Sequence, residues 1–135
     1  MTDAKPTILF VCTHNAGRSA LGAALARHRA GDRVDSESAG MDPADGPSGV
    51  TIASLAEVGV DDSAHRPSKL TDARVRAADV VVAMKPGLDL LHYPGVRYEI
   101  WTLPDPAGWD IDGIRGLRDD IDARVQLLIA DLTTQ

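Results

Sequence analysis

Ile8-Leu9-Phe10-Val11-Cys12-Thr13-His14-Asn15-Ala16-Gly17-Arg18-Ser19 carries an apolar run into the only cysteine of the chain, through the only asparagine, and into a helical pattern. Thr7 to Val11 is β-branched, aromatic and too short for a helix, so it reads as a buried strand. From Arg18, Leu21, Leu25 and His28 recur at helical spacing with alanines between them, as far as about Ala30. Gly31 then offers a C-terminal cap. A strand that hands a thiol to a loop opening a helix holds a nucleophile where backbone amides and the helix dipole converge on an anion.

The flanking chain repeats this alternation. Val34 to Ser38 reads as a second, more exposed strand, and Gly40 to Gly49, rich in Gly, Pro and Asp, as loop. Val50 to Val58 reads as a helix with Ile52, Leu55 and Val58 on one face, and Gly59 ends it. Asp61 to Lys69 is polar loop around Pro67. Thr71 can cap a short helix to Ala77. Asp79 to Met84 is a continuous apolar run, as expected of a parallel strand buried on both faces. Lys85 to Gly95 is a connection, Tyr98 to Thr102 a fourth strand, and Leu103 to Gly108 a loop. Ile114, Leu117, Ile121, Val125, Leu128 and Leu132 are spaced three or four apart and predict a long final helix. The expected fold is α/β and doubly wound, in three layers, with a four-stranded parallel sheet flanked by helices. No repeat or linker divides the chain, so residues 1–135 form one domain.

Composition removes several function classes. The formal net charge of −6 argues against nucleic acid as the main partner, since phosphate backbones need clustered Lys and Arg. A small anion is still compatible, because local amides outweigh global charge. A single cysteine forms no internal disulfide and suggests a reducing compartment. Met1 to Thr7 has no apolar signal core, and no run approaches the roughly 20 apolar residues of a membrane helix. A cytoplasmic protein without a membrane partner is expected. His28, His65 and His92 lack metal-ligand spacing, read as surface residues, and give no metal site.

Five residues separate Cys12 from Arg18. Arg18 supplies a fork of donors matched to a tetrahedral oxyanion, and these positive surroundings favour the Cys12 thiolate. The Ser19 hydroxyl can donate to that thiolate. Asn15 tolerates a left-handed backbone and can brace the loop, while Gly17 permits close approach. His14 either touches the anion or packs in the loop. Asp105, between Pro104 and Pro106, leaves the carboxyl end of a strand expected to neighbour the first, where a rigid carboxyl could act as general acid.

Cys-x5-Arg-Ser directly after a first strand, with Asp105-Pro106 in a late loop, resembles the low-molecular-weight protein tyrosine phosphatase superfamily, which includes thiol-dependent arsenate reductases. The resemblance covers essentially the whole chain. It implies that Cys12 is the nucleophile, that Thr13, His14, Asn15, Ala16, Gly17 and Arg18 form the anion-binding loop, that Ser19 supports the thiolate, and that Asp105 is the acid. His14-Asn15-Ala16-Gly17-Arg18-Ser19 and Trp101-Thr102-Leu103-Pro104-Asp105-Pro106-Ala107-Gly108 are similar to the reductase branch. Phosphatases of the family usually place an aromatic residue straight after Asp-Pro. Here that position is Ala107, and Trp109 is a poor substitute by spacing.

Two departures matter. The thioredoxin-coupled reductases carry two further cysteines after the third strand, and Met84 to His92 has none. Ala20-Leu21 also replaces the Gln-Met that commonly follows the reductases' Arg-Ser. The resemblance therefore implies arsenate reduction with no bound cofactor and an external low-molecular-weight thiol as co-substrate, mycothiol in an actinobacterial setting. A glutaredoxin-like redoxin would release arsenite. The alternatives are hydrolysis of phosphotyrosine or aryl phosphates through a phosphocysteine, or a non-catalytic oxyanion-binding or redox-sensing module.

Overall fold

The computed structural model describes residues 5–134; the reading of Met1 to Ala4 as part of a polar start lies outside the described residues. Ile8 to Val11 are all buried in β1, Thr7–Cys12. Side chains alternate across a strand, and the alternation builds two cores. Ile8, Phe10 and Cys12 face a large cluster with Leu21, Leu25, Leu55, Ile121 and Val125. Leu9 and Val11 face a smaller one with Val75 and Val81.

The first cluster is supplied by α1, Arg18–Ala30, α2, Gly49–Ala56, and α4, Ile111–Thr133. The second is covered by α3, Asp72–Ala77, and by Leu88, Leu90 and Tyr93 of the following connection. Between these layers β1 pairs with β2, Asp35–Gly40, and with β3, Val80–Ala83, which pairs with β4, Arg97–Ile100. All pairings are parallel, in the order β2-β1-β3-β4. The three-layer expectation holds.

Several boundaries differ from the sequence reading. β2 runs two residues past Ser38, because Ala39 and Gly40 continue the ladder opposite Val11 and Cys12; on its other edge Gly40 N–H donates to Ser68 O and Gly40 O accepts from Leu70 N–H, at 2.8 and 2.9 Å. α4 begins at Ile111 rather than Ile114, since Asp110 caps it by accepting from Gly113 N–H at 3.1 Å. α2 stops at Ala56, two residues short of Val58. β3, Val80–Ala83, is shorter than the Asp79 to Met84 run, and β4 is Arg97–Ile100 rather than Tyr98 to Thr102. Thr71 caps α3 as expected, accepting from Arg74 N–H at 3.2 Å.

Polar clamps join the helices on the large face. Arg29 makes a paired bond to Asp122, at 2.9 and 2.6 Å, tying α1 to α4. Glu57, following α2, accepts from both Arg115 and Arg118 of α4, at 2.6 and 2.9 Å. These hydrogen bonds, Arg115 first and Arg118 second, pull the Glu57 carboxyl down to about 2. Gly22 lets α1 settle on the sheet: a Cβ there would stand 2.6 Å from the Phe10 ring.

Candidate active site

In a sheet ordered this way the chain leaves β1 in opposite directions, and a crevice opens beyond the carboxyl ends of the strands. Cys12 is the last residue of β1 and Arg18 the first of α1. The intervening loop is turned by its carbonyls. Cys12 O accepts from Met41 N–H, Thr13 O from Asp42 N–H and His14 O from Ala44 N–H, at 2.8 to 3.0 Å. Asn15 O accepts from His65 Nε2 at 2.7 Å.

Four consecutive carbonyls thus point outward into neighbouring segments. Among the described residues, the N–H groups from Thr13 to Arg18 find no protein acceptor. They form a nest of free donors at a helix N-terminus, a geometry suited to an anion.

Beneath the loop a chain of hydrogen bonds runs from Ser68 through Asn15 and Ser19 to Cys12. Ser68 N–H can only donate, so the Asn15 atom it meets at 2.9 Å is the carbonyl Oδ1. Asn15 Nδ2 therefore faces Ser19 Oγ, at 2.8 Å, and donates to it. Ser19 Oγ lies 2.9 Å from Cys12 Sγ; a Cys12 thiolate can only accept, and the Ser19 hydroxyl then donates its proton to it. Asn15 and Ser19 are fully buried, so each partner lost would leave an unsatisfied polar group. Asn15 has φ 54°, the left-handed turn expected of it.

Ser68 is itself held: Arg74 Nη1 donates to its hydroxyl at 3.0 Å, and the hydroxyl donates to Ser38 O at 3.3 Å. His65 must carry its proton on Nε2 to donate to Asn15 O. Behind it Asp62 is buried, and desolvation pushes its carboxyl above the ordinary aspartate range against the opposing pull of His65 and Arg27.

The cleft over Cys12 holds about 400 Å³ and is walled by Cys12, His14, Gly17, Arg18, Asp105 and Trp109, with Ala16 and Ala107 among its other neighbours. Arg18 is buried and donates to Leu103 O at 3.2 Å. β4 is not the neighbour of β1, contrary to expectation, since β3 lies between. The Asp105 loop reaches back across that strand. The Arg18 bond and Pro106, which would lie 3.0 Å from a Cβ at Gly17, dock it. Asp105 is exposed at the rim, and its Oδ1 accepts from Ala107 N–H at 3.0 Å.

Of the residues singled out in the sequence, Cys12, His14, Ala16, Gly17, Arg18 and Asp105 meet in this cleft. Thr13 does not line it, and Asn15 and Ser19 lie behind it. His14 is exposed at the cleft edge and donates from Nδ1 to Asp42 O at 3.0 Å. His28 and His92 are exposed as expected. His65 is not a surface residue: it is half-buried and holds the loop. Trp109 is in the cleft wall despite its spacing, because the turn at Gly108, with φ 78°, folds it back.

No signal in Asp61–Lys69 marked His65 or Ser68, which act 50 and 53 residues after Asn15. Among the described residues no group of three His, Cys, Asp or Glu side chains could hold a metal ion, and no helix is long and apolar enough to cross a membrane.

Residues 7–135 match the family model described as low molecular weight phosphotyrosine protein phosphatase. Arsenate reductase 1 of Staphylococcus epidermidis is 31% identical over 125 residues, spanning 90% of this chain and 94% of the relative. The structure of a thioredoxin-dependent arsenate reductase from Corynebacterium glutamicum superposes with a TM-score of 0.86 at 37% identity, over 98% of this chain. This chain spans only 64% of that protein's length. An arginine phosphatase from Geobacillus stearothermophilus superposes with a TM-score of 0.79 at 29% identity, over 94% of this chain and 92% of the other.

Proposed function

The chain belongs to the low molecular weight phosphotyrosine protein phosphatase family, and on that premise we propose that it is a cytoplasmic arsenate reductase that uses Cys12 as nucleophile and an external low-molecular-weight thiol, mycothiol or one like it, as co-substrate. The observation that carries the proposal is the hydrogen-bond chain that ends on Cys12 below the unengaged N–H groups of Thr13 to Arg18, in a chain with one cysteine.

Arsenate rests on those amides and on the Arg18 guanidinium. The thiolate attacks arsenic, one arsenic–oxygen bond breaks, and Asp105 gives a proton so that the oxygen leaves as water. No second cysteine can attack Cys12 from within. The external thiol therefore displaces Cys12 from arsenic and carries it off as a thiol adduct, still pentavalent. A glutaredoxin-like redoxin thiol then attacks the adduct's sulfur. The sulfur–arsenic electron pair stays on arsenic, so arsenite departs and a mixed disulfide remains.

The pure protein incubated with arsenate, mycothiol and a matching redoxin is expected to release arsenite only when both thiols are present. No thiol-dependent arsenite, where a known reductase works, would overturn the proposal.

Trp109 supports a second reading. An indole in the wall of the cleft can face the ring of an aryl phosphate, with Cys12 forming a phosphocysteine and Asp105 protonating the leaving phenol. Turnover of arsenate plus thiol against turnover of an aryl phosphate separates the two.

A further inference from the structure

β4 is an edge strand, and among the described residues nothing pairs with its outer side. Arg97 N–H donates to Asp79 O and Trp101 N–H to Ala83 O, at 3.0 and 2.8 Å, both toward β3. Residues between them in a parallel ladder face the other way, so the N–H and C=O groups of Tyr98 and Ile100 lie open. Open edges are ordinarily guarded by charge, as β2 is by Asp35 and Glu37, paired with Lys5 and Arg74. β4 also carries charge, but apolar side chains border it. Among the described residues Val58, Leu91, Ile100 and Leu127 are the large apolar side chains left exposed, and all but Val58 surround β4. Ile100, 63% exposed, belongs to the strand. Leu91 adjoins it, its carbonyl accepting from Tyr98 Oη at 3.1 Å. Leu127, 74% exposed, stands on α4 between Arg124, which lies over the Trp101 ring, and Asp131, which pairs with Arg97.

We propose that β4 pairs antiparallel with β4 of a second copy of this chain, about a two-fold axis at Tyr98, joining two four-stranded sheets into one. The sequence around that axis is self-complementary. With Tyr98 opposite Tyr98, Arg97 of each copy faces Glu99 of the other on one face of the sheet. On the opposite face Val96 of each copy meets the exposed Ile100 of the other. Opposite charges and apolar pairs at directly opposed positions stabilise an antiparallel ladder, and like charges destabilise it. A register shift of two residues in one direction sets Glu99 against Glu99, and in the other Arg97 against Arg97. The charges therefore select the Tyr98 register. Arg97 and Glu99 already pair within one copy, at 2.5 Å, so the two copies build a four-membered network. Such a ladder is a small contact, of the class under roughly 1,200 Å² that gives weak association. Its antiparallel sense puts the two Cys12 clefts at opposite ends of the joined sheet and leaves both open.

The test is sedimentation velocity on the full chain, from micromolar to millimolar concentration at low salt, with circular dichroism to show that each variant is folded. The chain is expected to pass from monomer to dimer, and hydrogen exchange at the Tyr98 and Ile100 amides to slow as it does. Ile100→Lys, which sets a charge on the edge, raises the dissociation constant by about tenfold or more. Arg97→Glu and Glu99→Arg each do the same alone, because like charges then face each other across the axis. An equimolar mixture of those two variants associates again, since every crossing pair is once more of opposite sign. A chain that stays monomeric at millimolar concentration would overturn the inference. So would a dimer that Ile100→Lys leaves intact, or a mixture that associates no better than its folded components. These outcomes are independent of the reaction at Cys12.

Discussion

Replacing Asn15 by aspartate reverses one hydrogen bond while leaving the backbone almost untouched. Aspartate tolerates the left-handed φ of 54° seen there, and one of its oxygens can still accept from Ser68 N–H. Where Asn15 Nδ2 donates to Ser19 Oγ at 2.8 Å, the variant offers a second acceptor. Ser19 has a single proton, and the introduced carboxylate takes it from the bond to Cys12 Sγ. A hydrogen bond to a charged group is worth about 1.5–3 kcal/mol, roughly a ten- to hundredfold change in thiolate population at tenfold per 1.4 kcal/mol. A thiol that holds its proton more tightly is a better nucleophile once ionised, which offsets part of this. The expected fall in the iodoacetamide alkylation rate at neutral pH is about tenfold or more. Mass spectrometry reads it without ambiguity, because every adduct is on Cys12. Ser19→Ala should slow alkylation similarly. The combined variant should be little slower than Asn15→Asp alone, since both changes remove the same O–H donation. Alkylation of folded Asn15→Asp at the unaltered rate, or fully additive losses, would refute the directed chain.

Asp105→Asn should lower turnover of arsenate or aryl phosphate by roughly 10²–10⁴-fold. Alkylation of Cys12 should stay the same, because the Asp105 carboxyl bonds only Ala107 N–H among the described residues; a parallel loss of alkylation would show that the carboxyl acts on the thiol instead. Glu57→Gln should lower the urea midpoint at neutral pH. Glu57 is held down at about 2 by Arg115 and then Arg118, so its contribution is complete above its unfolded value of about 4.3 and is lost as pH falls through about 2. The gap between the two proteins should therefore be flat from pH 7 to 5 and close below about 4; a gap that stays constant down to pH 2 would refute the ion-pair origin.

What could be read in the sequence was what the chain determines over short distances. Ile8 to Val11 forms a buried strand because every side chain in the run suits a pleat covered on both faces, and α1 follows because alanine and leucine recur at its period. β2 was cut short because Ala39 and Gly40 carry no strand signal of their own. Gly40 is held by Ser68 and Leu70, nearly thirty residues later, and a Cβ there would stand 2.6 Å from Thr13 O. The start of α4 was hidden by Gly113 and Gly116, which interrupt a helical pattern. The glycines are tolerated because Asp110 caps the helix and Ile114, Leu117 and Ile121 bury its inner face.

The same division runs through the site. Cys12, Arg18 and Ser19 are legible because they lie within eight consecutive residues. Their chemistry depends on groups that are not. A loop of four consecutive outward carbonyls exists only if something outside accepts the role of donor. Met41, Asp42 and Ala44 supply three N–H groups from the segment after β2, and His65 supplies the fourth. Ser68 decides which way Asn15 faces, and so that Ser19 Oγ accepts from it and keeps its proton for a Cys12 thiolate. Take away those distant donors and the loop carbonyls lose their partners, whatever Cys12 and Arg18 do. The motif names the reacting atoms, but residues 41–44 and 65–68 give them their polarity. For that reason a Cys-x5-Arg spacing by itself does not arrange a nest of free N–H groups; the contacts from residues 41–44 and 65–68 do.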